Sequence, residues 1–371
     1  MKINMDTRLL KVMTAMLLLT AWAEGVMAQR IQTVDKDGQP VAYASVMTED
    51  GKFIGTTDLN GVLEDVKGEP KVVITHVAYQ AKTVVVAQGN KVTLVDADFG
   101  LPEVTVTRKP LVYVQTYYRM LVTDEKEGLV YYRAGLVDNS FERAKKNLSV
   151  DEEHMSMAKS GLIRRLLNMV FNAYKGRLFG LRMNPFDKRA AKKYPELKLE
   201  MTSLGGGKTR ISDGYGAVGM ITEDAAAGLT SISYDSHLLS RHATLARGKE
   251  KDIKKLEKSD ARMKNRVDVD FEQYRLSDEG VFAPEDFVMS QYFTSYDRDR
   301  KEEKDSTHRV MMIQMFNTQR AYVTKDELKA LKKQNRMTMD YENIRHFEQA
   351  HNIPALAPSI QKFIDQFPVK N

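Results

Sequence analysis

The chain contains no cysteine among its 371 residues. This absence excludes disulfide bonds, thiolate metal ligands, a cysteine nucleophile and the acylated cysteine of a lipoprotein. Stability must therefore come from buried apolar area. A large excess of one charge is also missing, because 56 basic residues face 50 acidic ones, for a formal net charge of +6. The two signs are interleaved, as in residues 247–270, which favours a solvated surface over a nucleic-acid site.

Long apolar runs are missing beyond the first residues. Three basic residues in positions 2–11 precede the apolar segment 12–23, and Val26 and Ala28 then occupy the positions of an A-x-A-like processing site. This three-part layout is that of a secretory signal peptide. The apolar segment is about half of the roughly 20 residues that a membrane-spanning helix needs. We therefore expect an exported protein with no transmembrane helix in its mature chain.

The length after a signal peptide of residues 1–28 is enough for two domains, which we place at residues 29–108 and 109–371. In the first, short stretches rich in valine and threonine alternate with turn signals such as Asp37-Gly38 and Asn60-Gly61. This pattern predicts an all-β, antiparallel sandwich over residues 31–107. Its core should include Val46, Val73, Ile74 and Val85.

Two motifs in this first domain resemble a known family. Residues 55–61 read GTTDLNG and residues 73–79 read VITHVAY, and both look like the carboxypeptidase regulatory-like domain, a transthyretin-like β-sandwich. The resemblance covers roughly a fifth of the chain and implies an interaction or spacer module. Asp58 is expected to accept backbone N–H bonds across a turn that Gly61 ends with a positive φ. Ala78 departs from the family, which usually has glycine there.

Residues 101–107 read LPEVTVT and resemble the segment that follows such sandwiches in TonB-dependent outer-membrane receptors. The 264 residues that remain are too few for a plug and a large barrel, and they lack repeated alternating ten-residue segments. An edge strand that begins near Pro102 is the favoured interpretation. A docking strand at residues 103–107 remains the alternative.

The second domain is predicted to be α+β, with an antiparallel sheet and terminal helices on one of its faces. Tyrosine-rich strands at residues 112–122 and 129–137 predict a hairpin. Ser149 with Glu152 resembles a capping box that begins a helix, and Gly176 is expected to end it. The buried face of this helix is predicted from apolar residues at helical spacing, which are Met155, Ala158, Leu162, Leu166, Val170 and Ala173.

A glycine-rich stretch, residues 205–219, separates this helix from further strands, and residues 205–209 within it are expected to be a flexible loop. Further strands are expected at residues 267–276, 287–296 and 309–322, and helices at 325–334, 340–350 and 359–367. Thr324 with Glu327 forms a second capping-box pattern, at the start of the first of these helices.

No catalytic or metal-binding motif stands out. Residues 205–209 read GGGKT, but the first glycine of a phosphate loop is replaced by Thr202. No histidine has glutamate three residues later, as the zinc carboxypeptidases that carry the same sandwich require. Asp58 and Asn60 resemble a calcium loop, yet Leu63 stands where that loop needs glycine.

Two groups of side chains are weaker candidates for a functional site. Asp235, His237 and His242 lie within eight residues, and we interpret them as surface residues of a polar loop. Tyrosines of the predicted hairpin alternate between two faces, of which one is core. For the other face, core packing is favoured over a platform for a glycan or peptide. These tyrosines are Tyr113, Tyr117, Tyr118, Tyr131 and Tyr132.

The sequence thus predicts a noncatalytic exported protein of the bacterial envelope, in the periplasm or at the outer membrane, that binds a protein, peptide or glycan. No cofactor, metal, catalytic residue or nucleic-acid partner is expected. A hydrolase with a site in residues 109–371 is one alternative. An accessory of an outer-membrane receptor or assembly system is another.

We expect the mature protein to begin at Gln29, because Ala28 closes the processing site behind an apolar segment that is too short to span a membrane. Mass spectrometry of protein purified from the native envelope measures the N-terminus directly. Retention of residues 1–28 would contradict export by signal-peptide cleavage.

Overall fold

The computed structural model describes residues 30–64, 66, 69–86, 90–99, 109–145, 147–276, 282–299 and 306–367. The expected signal peptide of residues 1–28 and the expected strand at residues 103–107 lie outside the described residues. Within them the chain is rich in β-structure, with one large antiparallel sheet, two smaller sheets and several helices.

The N-terminal residues form two small sheets with a shared core, here called the N-terminal sheet pair. One sheet has the order β4-β1-β7, and the other has the order β3-β2-β5-β6. The strands are β1 (Ile31–Val34), β2 (Ser45–Thr48), β3 (Phe53–Thr56), β4 (Val62–Leu63), β5 (Lys71–His76), β6 (Tyr79–Val85) and β7 (Asn90–Thr93). The pairing is antiparallel except between β1 and β7, which are parallel, so the expectation of a purely antiparallel arrangement was wrong.

Strand alternation decides which of the predicted core residues lie between the two sheets. Val46 and Ile74 are paired across β2 and β5 and lie in the shared core, as predicted. Val73 is also buried, but its side chain points to the opposite face of β5 and packs against the large sheet. Val85 is 64% exposed, so its prediction as a core residue was wrong.

The turn between β3 and β4 has the predicted geometry. Asp58 Oδ1 accepts hydrogen bonds from the backbone N–H groups of Asn60 (2.9 Å) and Val62 (2.8 Å). Gly61 has φ of 71°, and a Cβ there would collide with the Thr33 carbonyl. Only glycine satisfies both conditions.

A ten-stranded antiparallel sheet dominates the rest of the chain, with the order β10-β9-β8-β17-β16-β15-β14-β13-β12-β11. Its strands are β8 (Leu111–Asp124), β9 (Gly128–Glu142), β10 (Leu148–Ala158), β11 (Glu200–Gly205), β12 (Lys208–Asp213), β13 (Gly216–Asp224), β14 (Leu229–Asp235), β15 (Met263–Arg275), β16 (Phe287–Asp299) and β17 (Ser306–Val323). The predicted hairpin and the three later strands are therefore confirmed. The flexible loop expected at residues 205–209 was wrong, because Gly206 and Gly207 form a tight turn with positive φ between β11 and β12.

Helices form close to the predicted residues 325–334, 340–350 and 359–367. The helices are α1 (Gly161–Ala173), α2 (Lys175–Leu178), α3 (Phe186–Lys193), α4 (Ser236–Arg247), α5 (Glu250–Arg262), α6 (Lys325–Gln334), α7 (Tyr341–Ala350) and α8 (Pro358–Asp365). Thr324 and Glu327 form the predicted capping box at the start of α6. In the described part of the chain, no helix is long and apolar enough to cross a membrane.

The helix predicted to begin at Ser149 was wrong in its start and in its buried face. Residues 148–158 form β10, and the helix begins only after Ser160, whose hydroxyl accepts a hydrogen bond from the Ile163 N–H. Leu162 and Leu166, on the face predicted to be buried, are 66% and 50% exposed. Phe171 is the residue of α1 that packs into the core.

Both faces of the large sheet are covered, and the terminal helices α7 and α8 lie together on one of them, as predicted. One face packs against α1, α3, α4 and the segment between α2 and α3. The opposite face packs against the N-terminal sheet pair together with α7 and α8. The described residues thus form one continuous body around the large sheet.

We expect Ile74→Ala to lower the free energy of unfolding by about 2–5 kcal/mol, because it leaves a cavity in the shared core. Val85→Ala should change it by less than about 0.5 kcal/mol, because Val85 is exposed. Urea unfolding of the mature protein at pH 7 measures both values. Equal losses in the two variants would contradict this assignment of the core.

Candidate functional site

Asp235, His237 and His242 lie at the junction of β14 and α4 rather than in a polar loop. Asp235 caps the helix, and its Oδ1 accepts hydrogen bonds from the N–H groups of His237 (2.8 Å) and the following residue (2.9 Å). Five residues on a helix separate His237 from His242 by more than a third of a turn. His237 lies near Asp260, whereas His242 Nδ1 lies 2.9 Å from Asp213 Oδ2. The three candidates therefore do not form one site.

A row of three carboxylates on β15 is the feature that sequence reasoning missed. Asp268, Asp270 and Glu272 alternate along the strand, so their side chains share the face covered by α3 and α4. They are 5%, 9% and 2% exposed. The sequence signal was the run DVDFE at residues 268–272, in which acids alternate with apolar residues inside a predicted strand.

Glu272 has the best-formed set of partners in this row. Arg189 Nη2 of α3 lies 2.5 Å from Glu272 Oε2, and the hydroxyl of Tyr274 donates to the same oxygen at 2.8 Å. The Tyr234 hydroxyl donates to Oε1 at 3.3 Å. One cation and two hydroxyl donors thus compensate the burial of this carboxyl group.

The neighbouring acids are less well compensated. Burial raises the pKa of Asp270 to about 6, although Arg182 and a hydrogen bond from Ser236 oppose the shift. Burial likewise raises the pKa of Asp235 to about 6, against the two backbone hydrogen bonds that it accepts as a helix cap. Both carboxylates therefore carry a cost when the folded protein is ionised.

The arrangement of this row is that of a polar core rather than of an open site. Among the described residues, no three histidine, aspartate or glutamate side chains are positioned to hold a metal ion together. The three carboxylates of β15 are at most 9% exposed beneath the helices. A substrate has no access to them in this conformation.

A cleft of about 600 Å³ lies along the edge strand β10, between α1 and the start of α7. Four methionines from three separate segments supply its apolar lining, and arginine and asparagine side chains of α1 supply donors. The apolar residues are Met155, Met157, Met169 and Met339, and the α1 donors are Arg164, Arg165, Asn168 and Asn172. The cleft therefore presents both apolar and cationic surface to a ligand.

The backbone of Ser156 is directed into this open edge. The Lys159 N–H donates to the Val130 carbonyl at 3.1 Å, and antiparallel strands alternate between residue pairs that exchange hydrogen bonds and pairs that do not. Positions 157 and 155 therefore bond to β9. The N–H and C=O of Ser156 point away from β9, towards the side on which no strand of the described residues pairs with β10.

A buried polar network fixes the wall behind the cleft. Arg133 is fully buried and pairs with Glu152, while its Nε donates to the Tyr118 hydroxyl at 2.7 Å. Its Nη2 donates to Asn172 Oδ1 of α1 at 2.7 Å. Arg133 Nη1 has no hydrogen-bond partner among the residues that the structure describes. The network ties α1 to β9 and β10 and so holds the two walls of the cleft together.

Glu152, His154 and Ser156 share one face of β10 in the order of a hydrolytic triad, but their contacts differ from it. His154 Nδ1 lies 3.6 Å from Glu152 Oε1, and the Ser156 hydroxyl accepts a hydrogen bond from Asn168 Nδ2 at 2.8 Å. An activated serine requires a direct hydrogen bond to its base. Burial and the neighbouring Arg133 also lower the pKa of His154. The described contacts of these three residues are therefore not those of a catalytic triad.

The tyrosines of the hairpin do not form an exposed platform. All five are at most 1% exposed, and Tyr118 stacks on Phe179 with ring centroids 4.1 Å apart. Core packing, the favoured interpretation, is confirmed, and the alternative of a tyrosine-lined ligand surface is wrong, because both faces of β8 and β9 are covered.

Comparison with known proteins adds no assignment. No protein family and no curated protein matches the chain. A solved structure titled "Lipid-protein interactions in lipovitellin" aligns with 58% of this chain and 26% of that chain, at 7% identity and a TM-score of 0.28. The chain therefore spans about a quarter of that structure. The TM-score is too low for this likeness to bear on fold or function.

We expect Asp270→Asn to stabilise the protein at pH 7.5 and to lose this advantage at pH 4. In the folded protein the pKa of Asp270 is raised to about 6, so the unfolded chain releases this proton at a lower pH. The folding stability of wild type therefore falls as the pH rises from about 4 to 6. Above pH 6 the ionised, buried Asp270 carboxylate lowers the free energy of unfolding by roughly 2–3 kcal/mol, and asparagine, which has no charge, removes this cost. Urea unfolding at both pH values measures the difference from wild type.

The exposed Asp98 provides the matched control, because Asp98→Asn should shift stability little and equally at the two pH values. An Asp270→Asn difference that is the same at pH 4 and pH 7.5 would contradict the raised pKa.

Proposed function

We propose that the chain is a noncatalytic binding protein of the bacterial envelope, and that the cleft along β10 holds an extended peptide segment. The export signal of residues 1–28 supports the location. The open backbone edge at Ser156, inside a cleft with apolar and cationic walls, is the observation that carries the binding proposal.

An added strand is the ligand that fits an open sheet edge. Backbone N–H and C=O groups of an edge strand pair with an extended peptide, and pockets for alternate side chains give selectivity. Along β10, Met155 and Met157 point to one side of the sheet, and Ser156 points to the other. A bound peptide would therefore place alternate side chains against methionine and against the Asn168 side of α1.

The cleft also favours a particular charge on the peptide. Arg164 and Arg165 both line it, and the carboxylate among its lining residues is that of Asp340 near α7. Arginine forms strong, directional hydrogen bonds with carboxylates. The expected ligand is thus an extended segment with apolar residues and at least one aspartate or glutamate next to α1.

We further propose that residues 29–108 are a carboxypeptidase regulatory-like sandwich of the transthyretin type, serving as an interaction or spacer module. The shared core of its two sheets and the turn held by Asp58 and Gly61 support this. The module packs on the sheet face opposite α1, which leaves the α1 side of the cleft free of it.

The hydrolase alternative has less support, because Asp235, His237 and His242 are separated and Ser156 is bonded to Asn168. The receptor-accessory alternative depends on residues 103–107, which lie outside the described residues.

The test is binding of fluorescein-labelled eight-residue peptides with alternating apolar residues and one variable acidic position, measured by fluorescence anisotropy. Ser156→Pro should weaken the best peptide at least about tenfold, because proline removes the backbone donor at the open edge. Proline is tolerated where an edge N–H faces away from the sheet, so the fold should be retained.

Ser156→Ala is the matched control, since it also removes the hydroxyl bonded to Asn168 but keeps the backbone N–H. It should bind nearly as well as wild type, and circular dichroism should show the same fold for both variants. Absence of any binding peptide, or equal affinities for the alanine and proline variants, would rule out strand addition at β10.

A further inference from the structure

Helix α1 exposes a continuous apolar face to solvent. Twelve large apolar side chains are exposed among the described residues, and five of them belong to α1 and its C-cap. They are Leu162, Leu166, Met169, Val170 and Tyr174, and Leu162 and Met169 are 66% and 64% exposed. Such a concentration marks an interaction surface rather than the scattered exposure of single residues.

The exposed face is not needed to hold the helix on the sheet. Positions 162, 166, 169 and 170 have the i, i+4, i+7 and i+8 spacing of one helix face. Phe171 lies on another side of the helix, is buried, and packs against Tyr131 with ring centroids 5.5 Å apart. The Arg133 hydrogen bond to Asn172 adds a second attachment. The outward apolar residues therefore remain available for another contact.

The charge around this face has one sign. Residues 155–186 contain six basic residues and no acidic one, which equals the formal net charge of the entire chain. Arg165, Lys175 and Arg177 are exposed on and just after α1. An apolar helix face flanked by cations complements a surface that combines apolar and anionic layers.

We propose that α1 docks the protein on an anionic phospholipid bilayer. The face formed by Leu162, Leu166, Met169 and Val170 enters the boundary between headgroups and acyl chains, and the flanking basic side chains contact lipid phosphates. Basic amphipathic helices bind bilayers in this way, parallel to the surface and with their apolar face inserted. Met169 also borders the cleft, whereas Leu162, Leu166 and Val170 do not line it, so the proposal does not rest on peptide binding.

A bilayer accounts for these observations better than a protein partner. The apolar face is the convex surface of a single helix, and no acidic residue between positions 155 and 186 would pair with the basic groups of a partner. A phospholipid surface needs neither a matching groove nor opposite-sign partners on the helix. It requires only apolar area and cations, and α1 supplies both.

The test is co-sedimentation of the mature protein with vesicles, at 50 mM salt. We expect binding to vesicles of 70% phosphatidylcholine and 30% phosphatidylglycerol, and at least about tenfold weaker binding to pure phosphatidylcholine. Raising the salt to 300 mM should weaken binding, because the cations are screened. The double substitution Leu162→Glu and Leu166→Glu should reduce binding at least about tenfold.

Leu204→Glu is the matched control, because Leu204 is an exposed apolar residue of β11, away from α1. It should leave vesicle binding unchanged, and peptide affinity at the cleft should be the same with and without the Leu166→Glu substitution. Equal binding to neutral and anionic vesicles, or full binding by the double variant, would overturn the proposal. The proposal would also be overturned if the wild-type protein does not bind vesicles but forms dimers in sedimentation velocity, and the double variant stays monomeric.

Discussion

The pairing of β8 with β17 is the contact on which the large sheet depends. All other neighbours in this sheet are consecutive in the chain, whereas this pair joins the block β8–β10 to the block β11–β17. The register runs from Asp124 opposite Arg309 to Leu111 opposite Val323. At one end Arg309 Nε donates to Asp124 Oδ2 at 2.9 Å, across 185 residues of sequence. The position of the edge strand β10, and with it the cleft, follows from this junction.

Buried ion pairs determine where the covering elements attach to that sheet. On one face Arg119 of β8 pairs with Glu348 of α7 at 3.2 Å, and the Tyr117 hydroxyl donates to the same carboxylate oxygen at 2.8 Å. On the other face Arg133 pairs with Glu152 and reaches α1. Apolar packing alone tolerates sliding, whereas a buried charge has few positions in which it is compensated. These pairs therefore specify position more than they add stability.

Local sequence patterns predicted local structure correctly except where a contact with a residue distant in the sequence determines the structure. Thr324 and Glu327 form the expected capping box. The same pattern at Ser149 and Glu152 lies in a strand, because the Glu152 carboxylate binds the buried Arg133 instead of a helix N-terminus. The cleft was not predictable, since its lining comes from β10, α1 and the segment before α7. The apolar spacing around Leu166 predicted a helix correctly. Periodicity alone does not show whether the apolar face of a helix packs against the core or is exposed to solvent.

The methionines of the cleft make the protein sensitive to oxidation even though it has no cysteine. A sulfoxide is polar and bulkier than a thioether, and it forms readily on accessible methionine. Met169 is 64% exposed and belongs both to the cleft lining and to the outward apolar face of α1, whereas Met155 and Met157 are buried. An oxidant would therefore modify Met169 first, and a single added oxygen would make both surfaces more polar. Enzymatic reduction of the sulfoxide would reverse the change.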